Sequence, residues 1–335
     1  MLKPTLKYLN RSAVYLEDCC HVYFAVWRHQ KMTIDDNFLR VAAAQFSPEY
    51  ADMVRGVEKA VAIIEAAADQ GVELLVFPEL WFLGYPYWAS MDTRASAYEF
   101  WLQKFLNTAG SIDDPRLLPL YAAAKKHGMM LSMSIHERMG GTLYNSLLMI
   151  GATGNLEGHH RKLMPTNTER LLHGQGQGDD FVVVSSKIGN ITGLLCFEHQ
   201  MPLSRAAVGT FRPVVHCAQW PGHAFLNPII DASVRQLAHE NSCFVISARE
   251  VMDATFLDAQ DAIGTDAGRW KAVGGSAIAA PGATYLAEPV FEKEQLVIAD
   301  LDQDLVRQNH YLIDNQGHYA RPDVFGFELK QYSAD

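Results

Sequence analysis

From Arg40 onward, short apolar runs alternate with stretches of helical spacing. RVAAAQF (40–46) reads as a buried strand. MVRGVEKAVAIIEAAADQ (53–70) repeats its apolar residues at helical spacing and stops at Gly71. VELLVFP (72–78) reads as a strand ended by Pro78, and a helix is expected over about 114–127, ending near Gly128. MMLSMSIHER (129–138) and TLYNSLLMI (142–150) read as neighbouring strands joined by Gly140-Gly141, a hairpin signal. A second hairpin is expected at the turn residues 151–155. FVVVSS (181–186) and ITGLLC (191–196) flank the turn signal Gly189-Asn190, and a helix is expected from about 201. PVVHCAQ (213–219) is a strand, and Asn227-Pro228 opens a helix to about 241. CFVISA (243–248), GGSAIAAP (274–281) and QLVIADL (295–301) complete the expected strands. This mixture of βα alternation and hairpins points to one α/β domain with two sheets covered by helices. Periodicity does not say how the sheets stack.

Composition narrows the class. The chain has 335 residues, 49% of them hydrophobic, enough to bury a sizeable core. A formal net charge of −10 argues against nucleic-acid binding, which needs a positive field. No apolar run approaches the roughly 20 residues of a membrane-spanning helix. The five cysteines, Cys19, Cys20, Cys196, Cys217 and Cys243, lack metal-ligand spacing in the body of the chain and read as reduced thiols, which suits the cytoplasm. Residues 1–31 stand apart, without helical or strand period and without the h-region and cleavage site of a signal peptide. They read as an extension, either disordered or used in assembly, before a domain over 32–335.

Three segments carry candidate chemistry. In GLLCFEHQMPLSR (193–205), Cys196 ends an apolar strand just before a helix, a turn that exposes a side chain and offers backbone N–H groups to an anion. A cationic neighbour there would hold the thiol as thiolate. Taken alone, Cys196 reads equally well as a buried core thiol. In ELLVFPELWFLGYPYW (73–88), Glu79 follows a strand among aromatics, surroundings that raise a carboxyl pKa and suit a general base. Taken alone, it is an ordinary loop glutamate. In HHRKLMPTNTER (159–170), Lys162 lies near a strand end and Glu169 follows seven residues later, within reach of a charge-assisted hydrogen bond. Taken alone, that stretch is a solvated basic cluster.

Together they form an ordered set: a carboxylate after one strand, a lysine after another, a cysteine after a third. The segments FPELWFLGYP, HRKLMPTNTERLLHGQG, GLLCFEHQMPLSR and GHYARPDVF resemble, in order, the signature blocks of the nitrilase branch of the carbon–nitrogen hydrolases over about residues 38–326. The resemblance implies a four-layer αββα sandwich and a homodimer that can extend into a spiral or filament, with the C-terminal tail contributing to assembly. It implies the catalytic set Glu79, Lys162 and Cys196, with Glu169 supporting. Tyr85 stands where the family places a pocket tyrosine, six positions after Glu79. Phe197 replaces the usual Trp after the cysteine. His199 replaces a frequent Asn and resembles the arylacetonitrilase and cyanide-degrading branches.

Phe197, His199 and Trp220 are taken as substrate-side candidates. His136, Glu137 and Glu198 read as structural. The implied reaction turns a nitrile into its carboxylic acid and ammonia through a thioimidate and a thioester. It calls for no metal or organic cofactor, and the expected partner is a small nitrile. An amidase or carbamoyl-amide hydrolase with the same triad is the near rival. A cyanide-type hydratase and a catalytically silent scaffold are the others.

Overall fold

The computed structural model describes residues 37–254 and 270–330, within one compact unit spanning Asn37–Asp335. The extension expected over 1–31 lies outside the described residues. The elements run β1 (Phe38–Gln45), α1 (Met53–Ala68), β2 (Leu74–Val76), α2 (Ser96–Thr108), α3 (Leu118–His127), β3 (Met130–Met139), β4 (Thr142–Ile150) and β5 (Leu156–Arg161). They continue with β6 (Val183–Ser186), β7 (Gly189–Leu195), α4 (Pro202–Thr210), β8 (Pro213–Trp220), α5 (Asn227–Glu240), β9 (Phe244–Arg249), β10 (Gly274–Ala280), β11 (Thr284–Phe291), β12 (Gln295–Asp302) and α6 (Gln303–Leu312). Two six-stranded sheets result, ordered β12-β1-β2-β3-β4-β5 and β11-β10-β9-β8-β7-β6.

Side-chain alternation fixes the layering. Along β1, Val41 and Ala43 face the core between the sheets, and Ala42 and Ala44 face the helices. Leu147 and Met149 on β4 alternate with Leu148 and Ile150 in the same way. In the second sheet, Phe244, Ile246 and Ala248 face the first sheet, and Val245 packs under α5 with Leu237 and Val234. Both faces of the central strands β2, β8, β9 and β10 are therefore dry, which is why they read as unbroken apolar runs. The architecture is the expected αββα sandwich. Cys217 belongs to the core between the sheets and Cys243 to the core under α5. Burial drives the Cys217 thiol up to about 12, so it stays protonated and inert.

Local rules explain the elements the pattern predicts. Helix α1 buries Met53, Val57, Ala60, Ile63, Ile64 and Ala67, an i, i+3, i+4, i+7 stripe. Asp52 caps it by accepting from Arg55 N at 3.2 Å. Each fully buried Val or Ile on that stripe is worth roughly 1.5–3 kcal/mol. The two-residue loop between β3 and β4 pairs Met139 with Thr142, and Gly140 takes φ +61° there.

Three elements escape the pattern. Helix α2 buries only Tyr98 and Phe105, too few for a stripe. Helix α6 is polar and buries only Val306 and Asn309. Strand β11 is an edge strand containing Pro289, a residue tolerated where no ladder bond is needed.

Candidate active site

The ends of β2, β5 and β7 deliver Glu79, Lys162 and Cys196 to one place. Glu79 N–H points at the Trp220 carbonyl at the end of β8, at 3.4 Å, so the two sheets meet at this edge. Leu80 takes φ +53° and donates its N–H to Ser134 Oγ at 3.0 Å, turning the chain sharply after the glutamate. All four charged or nucleophilic groups, Glu79, Lys162, Glu169 and Cys196, are buried.

Lys162 Nζ bonds Glu79 Oε1 at 2.7 Å and Glu169 Oε2 at 2.8 Å. Asn145 Nδ2 donates to Glu79 Oε1 at 2.8 Å, and its own Oδ1 accepts from Ser134 Oγ at 3.0 Å. Glu169 Oε2 also accepts from Thr166 N at 2.6 Å, the reciprocal box that a Thr-x-x-Glu spacing builds at the start of a helical turn. Glu79 Oε2 has no hydrogen-bond partner among the described residues. Burial raises the Glu79 carboxyl to about 7, against the pull of Lys162 and with a further push from Glu169. Burial alone would lower Lys162, but Glu169 and Glu79 outweigh it and hold the ammonium well above the usual lysine range.

Cys196 sits at φ +50°, in the left-handed region, immediately after β7. A non-glycine residue there is strained, and the surrounding bonds must hold it. Burial, then the Glu79 carboxylate, push its thiol well above its ordinary range, and Lys162 only partly opposes them. Two carboxylates accompany the one ammonium, so the resting nucleophile is a neutral thiol that needs a base.

Glu198 fastens this turn to the lysine strand. It accepts from Leu195 N and from Leu163 N, each at 2.7 Å, and from His160 Nε2 at 2.9 Å. Burial opposes its ionisation, but the His160 partner and the two N–H donors keep it below the usual glutamate range. Its structural reading holds. Glu198→Ala leaves three buried donors unpaired and is expected to cost about 3 kcal/mol of stability. The shift of the urea midpoint measures this, and an unchanged midpoint would show that water replaces the carboxylate. Glu137 is likewise tied to Arg161, His159 and Ser146, and His136 to His173 and the Gly84 carbonyl.

A cavity of about 720 Å³ opens over Cys196. Tyr85 and Phe197 line it, as expected from the sequence. Phe225, His223 and Trp270 form an aromatic wall, with ring centroids 5.3–5.7 Å apart. Thr166 and Asn167 stand at another side. His199 and Trp220 do not line it, which corrects their reading as substrate-side residues. Both are fully buried and stacked on each other at 4.7 Å. His199 Nδ1 bonds the Cys196 carbonyl at 2.7 Å, its Nε2 meets His216 Nε2 at 3.0 Å, and His216 Nδ1 meets Thr192 Oγ1 at 2.8 Å. The ring thus braces the strained backbone from behind.

Asn145, Ser134, His223, Phe225 and Trp270 escaped sequence reading. Asn145 and Ser134 sit inside ordinary apolar strands, and the aromatic wall joins His223 and Phe225 to Trp270, two segments far apart in the chain and without period. Among the described residues, no group of three or more His, Cys, Asp or Glu is placed to hold a metal ion. No described helix is long and apolar enough to cross a membrane.

Comparison with known proteins converges on the same chemistry. The carbon-nitrogen hydrolase family signature matches residues 40–311. A protein named nitrilase 3, from an unknown prokaryotic organism, is 36% identical over 297 residues, covering 87% of this chain and 90% of its own. An aliphatic nitrilase of Rhodococcus rhodochrous is 32% identical, covering 87% of this chain and 79% of its own. The structure of Saccharomyces cerevisiae Nit3, a nitrilase-superfamily member, superposes with a TM-score of 0.68 at 16% identity, over 87% of this chain and 99% of that one.

Proposed function

This chain belongs to the carbon–nitrogen hydrolase family, and from that premise we propose that it is a nitrilase, converting a nitrile to its carboxylic acid and ammonia. The observation that carries the mechanism is a cysteine held at φ +50° at a strand end, close to a buried Glu79–Lys162–Glu169 cage. The unpartnered Glu79 Oε2 takes the Cys196 proton as sulfur attacks the nitrile carbon. Lys162 Nζ stabilises the charge developing on nitrogen, and proton return gives a thioimidate. Glu79 then draws a proton from water, which adds to the same carbon. Carbon–nitrogen cleavage releases ammonia and leaves a thioester. A second water breaks the carbon–sulfur bond, giving the acid and the free thiol. Glu169 keeps Lys162 charged and aimed.

Glu79 must be ionised to accept the thiol proton. With its carboxyl at about 7, the protonated form dominates below that pH. The expected kcat/KM on a nitrile therefore falls as pH drops through about 7, approaching about tenfold per unit. A flat profile between about pH 5 and pH 8 would remove Glu79 as the base.

The roomy aromatic cavity favours nitriles with an aryl or long apolar group over cyanide. The deciding experiment is a panel of aliphatic, aromatic and arylacetonitriles, cyanide and the matching amides, scored for ammonia and for acid against amide. Turnover of nitriles to acid supports the reading. Turnover of amides alone would make the chain an amidase, and amide as the end product would make it a hydratase. A homodimer able to extend into a spiral is the proposed assembly, supported by the outward apolar side chains of Leu203 on α4 and Tyr311 and Leu312 on α6. The free thiols of Cys196, Cys217 and Cys243 support a cytoplasmic setting.

A further inference from the structure

Arg249 ends β9 and is only 2% exposed. Its Nη2 donates to the His223 carbonyl at 3.2 Å and to Asn227 Oδ1 at 2.6 Å. Neither acceptor is charged, and Nε has no acceptor among the described residues. A buried guanidinium without a carboxylate is costly, and folded chains seldom keep one unpaired. Burial accordingly pulls it down to about 10, yet it stays a cation at neutral pH.

The surroundings are shaped around this group. Gly275 takes φ +98°, and a Cβ there would lie 2.2 Å from Arg249 Nη1, so the guanidinium occupies the space a side chain would fill. Ser247 lies two residues earlier, on the same face of β9. Its Oγ is also buried without a partner among the described residues. Both residues line a cavity of about 300 Å³ between α5 and β9–β11, beside the first turn of α5. Ile230, Val234, Ala277 and Phe291 supply apolar walls. The carboxylate in the lining, Asp231, is held by Arg235 at 2.8 Å and by the Tyr285 hydroxyl at 2.9 Å. This cavity shares no lining residue with the one over Cys196.

We propose that the cavity between α5 and β9–β11 is a second binding site, for a small monoanionic carboxylate carrying an apolar tail. Arg249 Nε and Ser247 Oγ donate to the carboxylate, and the apolar walls hold the tail. A single unpaired guanidinium matches one negative charge. A doubly charged phosphate would lack its second cation, because Arg235 is committed to Asp231. Arg249 also holds the His223 carbonyl, so the occupied site would lie directly behind the aromatic wall of the active cavity.

The test is calorimetric titration of the full chain with benzoate, for wild type, Arg249→Met and Ser247→Ala, with thermal melts reporting that each variant is folded. Wild type is expected to bind benzoate saturably at a site that Arg249→Met weakens by about tenfold or more, the loss of a charge-assisted hydrogen bond. Ser247→Ala is expected to weaken the same site about fivefold. Arg249→Met also frees the His223 carbonyl behind the active cavity, so Ser247→Ala, which keeps that bond, is the variant that separates weakening at this site from any change in benzoate bound over Cys196. Equal binding by all three, or no binding by wild type, overturns the proposal. Displacement of benzoate by inorganic phosphate at matched concentration overturns the carboxylate assignment. None of these outcomes depends on nitrile turnover.

Discussion

Cys196→Ala is expected to reduce ammonia release from nitriles by on the order of 10⁴-fold or more while leaving the fold intact. The size follows from the geometry. The thiol lines the cavity and lies close to the Glu79 carboxylate that receives its proton. Removing it deletes the covalent route rather than weakening it. The fold survives because the side chain loses one atom in a cluster with Ala218, Trp220 and Leu226, a void smaller than a methylene series would leave. Glu198 and His199 grip the backbone on either side and do not touch the sulfur. Ammonia release and the thermal midpoint, measured on the same preparation, check both halves. Retained turnover would refute the nucleophile, and a collapsed midpoint would show that Cys196 is also a packing residue.

Lys162→Met has the largest expected effect on stability. The substitution removes the one cation between Glu79 and Glu169, both fully buried. Two carboxyl groups then face each other in a dry site, with Asn145 Nδ2 near both, at 2.8 and 3.5 Å. Breaking a buried ion pair from one side costs about 3–5 kcal/mol, because the charge left behind is uncompensated. Activity is expected to fall steeply with it, since the ammonium that stabilises charge on the substrate nitrogen is lost. Chemical denaturation measures the loss. Adding Glu79→Gln to Lys162→Met should recover part of it, with a coupling of about 0.5–3 kcal/mol for groups in one network. Strict additivity of the two substitutions would mean that the cage is not a coupled unit.

The site was legible in the sequence as far as strand ends were legible. Glu79 and Cys196 each follow a short apolar run, and a run that stops abruptly marks where a side chain leaves the sheet; Lys162 follows the polar stretch GHHR and was placed by its position near a strand end and by the family resemblance. Glu169 was picked out by its place seven residues after Lys162 and by the family resemblance, and the structure adds the Thr166-x-x-Glu169 box that closes a helical turn on itself. His199 and Trp220 show the opposite case. His199 flanks the nucleophile and Trp220 follows a strand end, which suggested the pocket, but a strand end has a front and a back, and both rings lie behind. The balance of forces on the Cys196 proton is decided in the folded site, where burial and the Glu79 carboxylate outweigh the lysine.

What the sequence by itself determined is an α/β class with two helix-covered sheets, most of the strand ends and the residue types of the reaction; the αββα stacking came from the family resemblance. Apolar periodicity and the stops imposed by Pro78, Gly71 and Gly140 are local properties of the chain, readable within a dozen residues. What only tertiary structure decided is which groups share a dry space. Asn145 on β4 meets Glu79 after β2, and the wall of His223, Phe225 and Trp270 is assembled from segments about 45 residues apart. Burial is set by every neighbour at once, and burial is what raises Glu79 to about 7 and keeps Cys196 a neutral thiol until Glu79 takes its proton.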